Sequence, residues 1–349
     1  MKKLIFELEF ITPAFIGGAD KQAELRPASF VGLLRWWWRA LKGECDIEKL
    51  KKEEIEIFGG NGRKASPVYL RVEGDVSKGR NLVAEYGLDW HFDKSRHALT
   101  GSHAGVGYLY YSVTALNKRE FIKAGSRLRL REFIKAGSRL RLTLIGEDES
   151  LKHYTASLWA LVFLGGVGFR SRRGGGNLAV IDYNLKDLGI SFIPTDNFGE
   201  WLEENLKRAK DLVDSSKPPC DEYSNLSNFK LLLSPREFDT WIEALNDIGS
   251  KFMNFRVKNR QRVFDLAVFG LPVRHSNGQF VKAEKGITRR ASPVIIKVVK
   301  ISKGKYMWVV LWLSGKFLPN DVKLTFDGNT QFPSFELVEK FFQELKKEG

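Results

Sequence analysis

The chain has 349 residues and a formal net charge of +14, from 56 Lys and Arg against 42 Asp and Glu. That surplus favours a polyanionic partner and is silent on fold. With no run of about 18 apolar residues, and glutamates inside the opening MKKLIFELEF, the composition argues against a membrane span and a signal peptide.

The first segment, KLIFELEFI, alternates apolar and polar residues and predicts a strand. After a loop, RPASFVGLLRWWWRAL (26–41) predicts a helix, with Ser29 as N-cap and Gly43 as its stop. Phe30, Leu33, Leu34, Trp37 and Leu41 share the core face, and Trp38 lies between faces. Gly32, Arg35, Trp36 and Arg39 form a second stripe at i, i+3, i+4, i+7. Cys45 follows and pairs in type only with the distant Cys220. Two such cysteines predict neither a disulfide framework nor a thiolate metal site, and suit a reducing cytoplasm. Strands are expected at 67–73, 80–86 and 106–114, and a strand pair around 126–145. An apolar-faced helix at 150–164 leads into the loop GGVGFRSRRGGG (165–176), and NLAVIDYN (177–184) closes the set as a strand. The order matches a ferredoxin-like βαββαβ domain, with both helices on one face of its sheet.

The second half opens with a helix at 197–213 and a Pro- and Ser-containing linker at 215–228. FKLLLS reads as a strand, PREFDTWIEALNDIGSKFM as a helix, and VFDLAVFGL as a strand turning at FGLPV. SPVIIKVVKIS and KYMWVVLWLS, joined by Lys-Gly, predict a hairpin. SFELVEKFFQELKKEG is an amphipathic C-terminal helix. The expected fold is α+β, with two domains packed side by side at 1–185 and 186–349. REFIKAGSRLRL occurs twice in tandem, at 119–130 and 131–142, without a difference. Three or more repeats are needed to bury a solenoid core, so the pair reads as a recent duplication whose extra copy extends or loops out of a hairpin.

The chemistry centres on the Gly-Arg loop. Glycine lets backbone approach a ligand closely, and arginine's planar fork binds phosphate. No Gly-Lys-Ser/Thr follows, and the glycines do not fall as G-x-G-x-x-G, so neither nucleotide fingerprint is present. Arg170, Arg172 and Arg173 are therefore expected to hold a polyanion from an exposed, loosely packed loop. Arg26, Arg35 and Arg39 are candidate phosphate contacts, and Trp36 is either a stacking surface for a base or a ring packed beneath the loop. The stripe and the loop are expected to face each other as one basic cleft. Arg289 and Arg290, and the cluster Lys258, Arg260 and Arg262, would extend the basic surface. None of the five histidines lies in the motif helix or the loop, which argues against a histidine-dependent ribonuclease. The motif blocks hold Glu24 and little else acidic, which argues against metal-dependent cleavage. No catalytic residue, metal or cofactor is expected.

Four blocks carry a family likeness: PAFIGG (13–18), RPASFVGLLRWWWRAL, GGVGFRSRRGGG, and FGLPV (269–273) with TRRASPVIIKV (288–298). Together they resemble the RAMP superfamily of CRISPR-associated proteins, and within it the RAMP subunits of the Cmr (type III-B) RNA-guided effector complex. The resemblance implies two ferredoxin-like domains, each like an RNA-recognition module. It implies a cytoplasmic, non-catalytic subunit for antiviral defence. Its partners would be single-stranded RNA, as guide or target, and other RAMP subunits of the Cmr complex. The alternative within the same superfamily is an endoribonuclease processing precursor guide RNA. A scaffold that docks a neighbouring subunit and barely touches RNA is the third reading.

Overall fold

A computed structural model describes residues 1–17, 22–60, 65–93, 95, 98–114, 132–274 and 278–348. The first half runs β1 (Lys2–Phe10), α1 (Pro27–Lys42), α2 (Ile47–Phe58), β2 (Tyr69–Glu73), β3 (Lys78–Gly79), α3 (Leu82–Tyr86), β4 (His91–Asp93), β5 (Ala98–Thr100), α4 (Ala104–Thr114), β6 (Phe133–Ile134), β7 (Arg139–Gly146), α5 (Asp148–Leu164) and β8 (Leu178–Tyr183). The second runs α6 (Phe198–Leu212), β9 (Asn225–Leu233), α7 (Trp241–Lys258), α8 (Val263–Ala267), β10 (Val273–Arg274), β11 (Phe280–Ala283), β12 (Val294–Lys300), β13 (Tyr306–Ser314), β14 (Leu324–Phe326), β15 (Asn329–Gln331) and α9 (Glu336–Lys347).

The fold is mixed α/β with several small sheets. Strand order in the first sheet is β2-β7-β1-β8, antiparallel throughout. Alternation along β1 turns Leu4, Phe6, Leu8 and Phe10 inward, into one core with α1 and α5. A second sheet has the order β12-β13-β9, and a third the order β10-β11-β14-β15. The β12–β13 hairpin is buried on both faces. Ile295, Val299, Val309 and Leu311 join the core of α1 and α5. Ile296, Val298, Trp308 and Val310 join a second core with α7 and α9. The two cores interleave along the chain: Leu82, Val106 and Tyr110 belong to the second, Trp201 and Leu206 to the first.

Several elements depart from expectation. Pro27 takes the first position of α1 after Arg26, displacing Ser29 as the start, because a proline lacks the N–H that goes unused there. Gly43 ends the helix in the left-handed region, φ 61°. Residues 82–86 form a helical turn capped by Asn81, not a strand. The segment 106–114 lies in helix α4, which packs on α7 where Gly105 and Gly249 let the backbones touch. Residues 263–267 are helical too. Helix α2 has no counterpart among the predicted elements; Asp46 caps it, accepting from the N–H groups of Glu48 and Lys49. The second repeat copy supplies β6 and the first half of β7, and the first copy lies outside the described residues.

Cys45 and Cys220 form a disulfide, with Cα atoms 5.1 Å apart. The expectation of two separate thiols is overturned: α1 and α6 bring the residues together across a separation of 175. Reduction should lower stability by about 2–4 kcal/mol. Melting with and without reductant checks this, and the Cys45→Ala variant should show the loss with no further effect of reductant.

His153 on α5 is half-buried at the margin of the first core, with its Nδ1 accepting from Trp38 Nε1 at 3.4 Å. Burial, and then the nearby Lys152, push its pKa down to about 4 from an ordinary 6.5. Its contribution to stability is therefore fully present above about pH 6.5 and is lost as pH falls towards 4. His153→Gln should flatten the pH dependence of the melting temperature in that window.

Candidate nucleic-acid interface

Loop 165–176 leaves the end of α5 and is tied down along its length. Phe169 N–H donates to Phe15 O at 2.9 Å, and Gly176 N–H donates to Pro13 O at 2.9 Å. Tyr110 Oη donates to Gly174 O at 2.7 Å. Gly176 has φ 60° and lies so close to Val167 that no side chain fits. Asn177, fully buried, donates from Nδ2 to Gly165 O and accepts the N–H of Val298 on Oδ1. Lys297, also buried, donates to Val162 O and Gly165 O at the end of α5, and burial lowers its pKa. Pro13 and Phe15 of the PAFIGG segment are thus backbone partners of the loop.

The loop is packed, which corrects the expectation of an exposed, loose segment. Its arginines cross to the other half of the chain. Arg173 donates from Nη1 to Val294 O and from Nη2 to Phe269 O, each at 2.8 Å, and lies 5.1 Å above the Phe252 ring. Arg172 donates to Ser292 O, while its backbone carbonyl accepts from Ile296 N–H at 3.2 Å. Its guanidinium covers the Trp36 ring at 5.0 Å. Arg173 and Ile296 form a parallel bridge, so the loop occupies the edge of β12. These carbonyls could not be foreseen from the loop's own composition.

Further guanidiniums crowd the junction. Arg256 lies 5.6 Å from the Phe252 ring that Arg173 also covers. Arg290 donates to Lys316 O at 3.0 Å. Burial depresses the pKa of Arg173 to about 9, helped by Arg170 and Arg256. Burial and Arg290 depress that of Arg172 to about 10. Both remain protonated at pH 7. Among the described residues, no carboxylate pairs with Arg172, Arg173, Arg256 or Arg290. Arg170, at φ 65°, and the half-exposed Phe169 form the outer corner. Such a cluster, held by carbonyls and rings, has unspent positive charge for an anion.

The other expected residues are dispersed. Arg35 and Arg39 pair with Glu54 of α2, at 2.8 and 2.5 Å, so they do not open onto the loop as one cleft. Of the stripe, Trp36 reaches the loop, under Arg172. With that guanidinium on its face, the ring is packed beneath the loop, the second of its two expected places. Arg26 is exposed and pairs with Glu24 at 3.1 Å. Arg289 is exposed. Arg262 bridges Asp265 and Glu336, and Lys258 reaches Glu344 at 3.5 Å. Arg260 is exposed. His91 meets Thr100, and His103 meets Asp89 N–H and Ser102; His97 and His275 lie outside the described residues. Among the described residues no group of His, Cys, Asp or Glu could hold a metal ion.

The RAMP superfamily profile matches residues 7–179. The chain is 30% identical over 334 residues to the CRISPR system Cmr subunit Cmr1-1 of Pyrococcus furiosus, covering 90% of this chain and 88% of that one. The chain belongs to the RAMP superfamily. Among solved structures it is similar to apo Cmr1 from Pyrococcus furiosus, with TM-score 0.67, 25% identity, and coverage of 100% and 97% of the two chains. A chain of a Type III-B Cmr-beta complex bound to cognate target RNA shares this RAMP fold at TM-score 0.60 and 15% identity, over 99% and 98% of the two chains.

Arg173→Ala strips three carbonyls, those of Arg172, Val294 and Phe269, of a charged donor and should cost about 2–4 kcal/mol. Arg289→Ala should stay within about 0.5 kcal/mol of the parent. Denaturant titration of both variants checks the contrast.

Proposed function

We propose that this chain is a non-catalytic RNA-binding subunit of a type III-B CRISPR effector complex, holding single-stranded guide or target RNA beside other RAMP subunits. The arginine junction carries the reading. Four buried or half-buried guanidiniums, without a carboxylate among the described residues and beside Arg170, form a site whose counter-charge a phosphate backbone supplies. The likeness to Cmr1-1, and to a chain in a complex bound to target RNA, supports it. So does the strand order: β2-β7-β1-β8 with α1 and α5 is the order of a ferredoxin-like unit, and β9, α7, β12 and β13 repeat its first four elements. On this reading the halves 1–185 and 186–349 are two such units, joined by the loop. The contacts lie on the outward arginines, Arg170, Arg256, Arg289 and Arg290, with Arg172 and Arg173 setting the junction's shape. Arg26, Arg35, Arg39 and Trp36 flank it.

The test is RNA affinity against salt. Log K should fall linearly with log salt, and the triple variant Arg170→Ala, Arg256→Ala, Arg289→Ala should lose roughly 0.7 of slope per phosphate contact removed. Its melting temperature should stay within a few degrees. An unchanged slope in a folded triple variant, or specific RNA cleavage by the parent protein, would refute the proposal.

A further inference from the structure

Arg35 and Arg39 stand one turn apart on α1 and converge on a single carboxylate. Arg35 donates from Nε to Glu54 Oε1 at 2.8 Å, and Arg39 from Nη1 to Glu54 Oε2 at 2.5 Å. Two cations thus share one anion, one oxygen each. A phosphodiester offers arginines the same pattern, two non-bridging oxygens carrying one negative charge. The carboxylate is the inner partner: its side chain is 12% exposed, against 30% and 34% for the arginines. Among the described residues no partner falls on Nε or Nη2 of Arg39. Gly32, on the same stripe, is exposed, and a side chain there would meet nothing within 4 Å. A nucleic-acid backbone can therefore lie against the helix at this point. The stripe continues through Trp36 to Arg172, and so onto the arginine junction.

We propose that Glu54 is a resident stand-in for an RNA phosphate, occupying the Arg35–Arg39 pair in the free protein and yielding it when single-stranded RNA binds. The inference rests on the RNA-binding reading above. The exchange leaves α2 in place, because the helix has other anchors. Leu50, Ile57 and Phe58 are buried in the first core, Asp46 caps its start, and Glu53 pairs with Lys42 at 2.8 Å. Arg35 also keeps its bond from Nη2 to Gly59 O at 3.0 Å. Glu54 thus sets how strongly this end of the basic surface competes for RNA.

The experiment is single-stranded RNA binding by Glu54→Gln across a salt series. Affinity should rise about three- to ten-fold at low salt, and the slope of log K against log salt should steepen by roughly 0.7. Glu54→Asp, which keeps the charge but withdraws it from the pair, should show a smaller gain. Glu53→Gln removes a charge one residue away and should show none. The gain should vanish when Arg35→Ala and Arg39→Ala are added. An unchanged or weaker affinity in Glu54→Gln, an equal gain in Glu53→Gln, or a gain that survives loss of both arginines overturns the inference, as does a Glu54→Asp protein that folds without any gain. RNA binding by the parent with no gain in the variants removes this inference alone. No binding by the folded parent removes the RNA-binding reading as well.

Discussion

The structure depends on guanidinium-to-carbonyl bonding between loop 165–176 and the second half of the chain, at the start of β12 and at Phe269. Arg172 and Arg173 reach Ser292, Val294 and Phe269, and their backbone extends the β12 edge. Carbonyls satisfy arginine's N–H groups without cancelling its charge. The junction is consequently firm and electropositive at once, a combination that carboxylate partners would not produce. Phe252 and Trp36 add ring faces that shield the same cations from water. The fold of the loop, the seat of β12 and the placing of α1 beside the second half all follow from these contacts.

On the opposite flank the charge logic is reversed. Helix α2 brings Glu53 and Glu54 to Lys42, Arg35 and Arg39, so α1 carries a partly neutralised segment next to one without carboxylates among the described residues. One helix therefore presents two kinds of basic surface. Near Trp36 the positive charge belongs to the loop, and near Arg39 it is shared with a carboxylate. The net charge of +14 is thus unevenly available, and the ion pairs decide where it can act.

The parts legible in the sequence are those set by local pattern. The alternation in KLIFELEFI, the core face of α1, the stop at Gly43 and the hairpin of β12 and β13 all appear where periodicity and turn chemistry put them. The parts that were not legible depend on distant partners. In α4 the aromatic run YLYYSV has strand propensity, yet the close approach of Gly105 to Gly249 makes it a helix. In α2 the charged run LKKEEIEI hides Leu50 and Ile57, one face of a capped helix. The fate of Arg35 and Arg39 turned on Glu54, which belongs to that unread helix. A glycine- and arginine-rich loop reads as solvated because its carbonyl acceptors lie more than ninety residues away.

The bond between Cys45 and Cys220 closes the intervening chain into a covalent ring. That ring contains α2 through α6 and the whole Gly-Arg loop, while β1 and α1 lie outside it as a strand and helix on the N-terminal arm. A peptide-bond cut anywhere within the ring leaves a single molecule. The two fragments stay joined through the sulfur atoms and separate only after reduction. Backbone damage in the segment that carries the loop is thereby converted from loss of a fragment into a nick that the rest of the fold can hold in register.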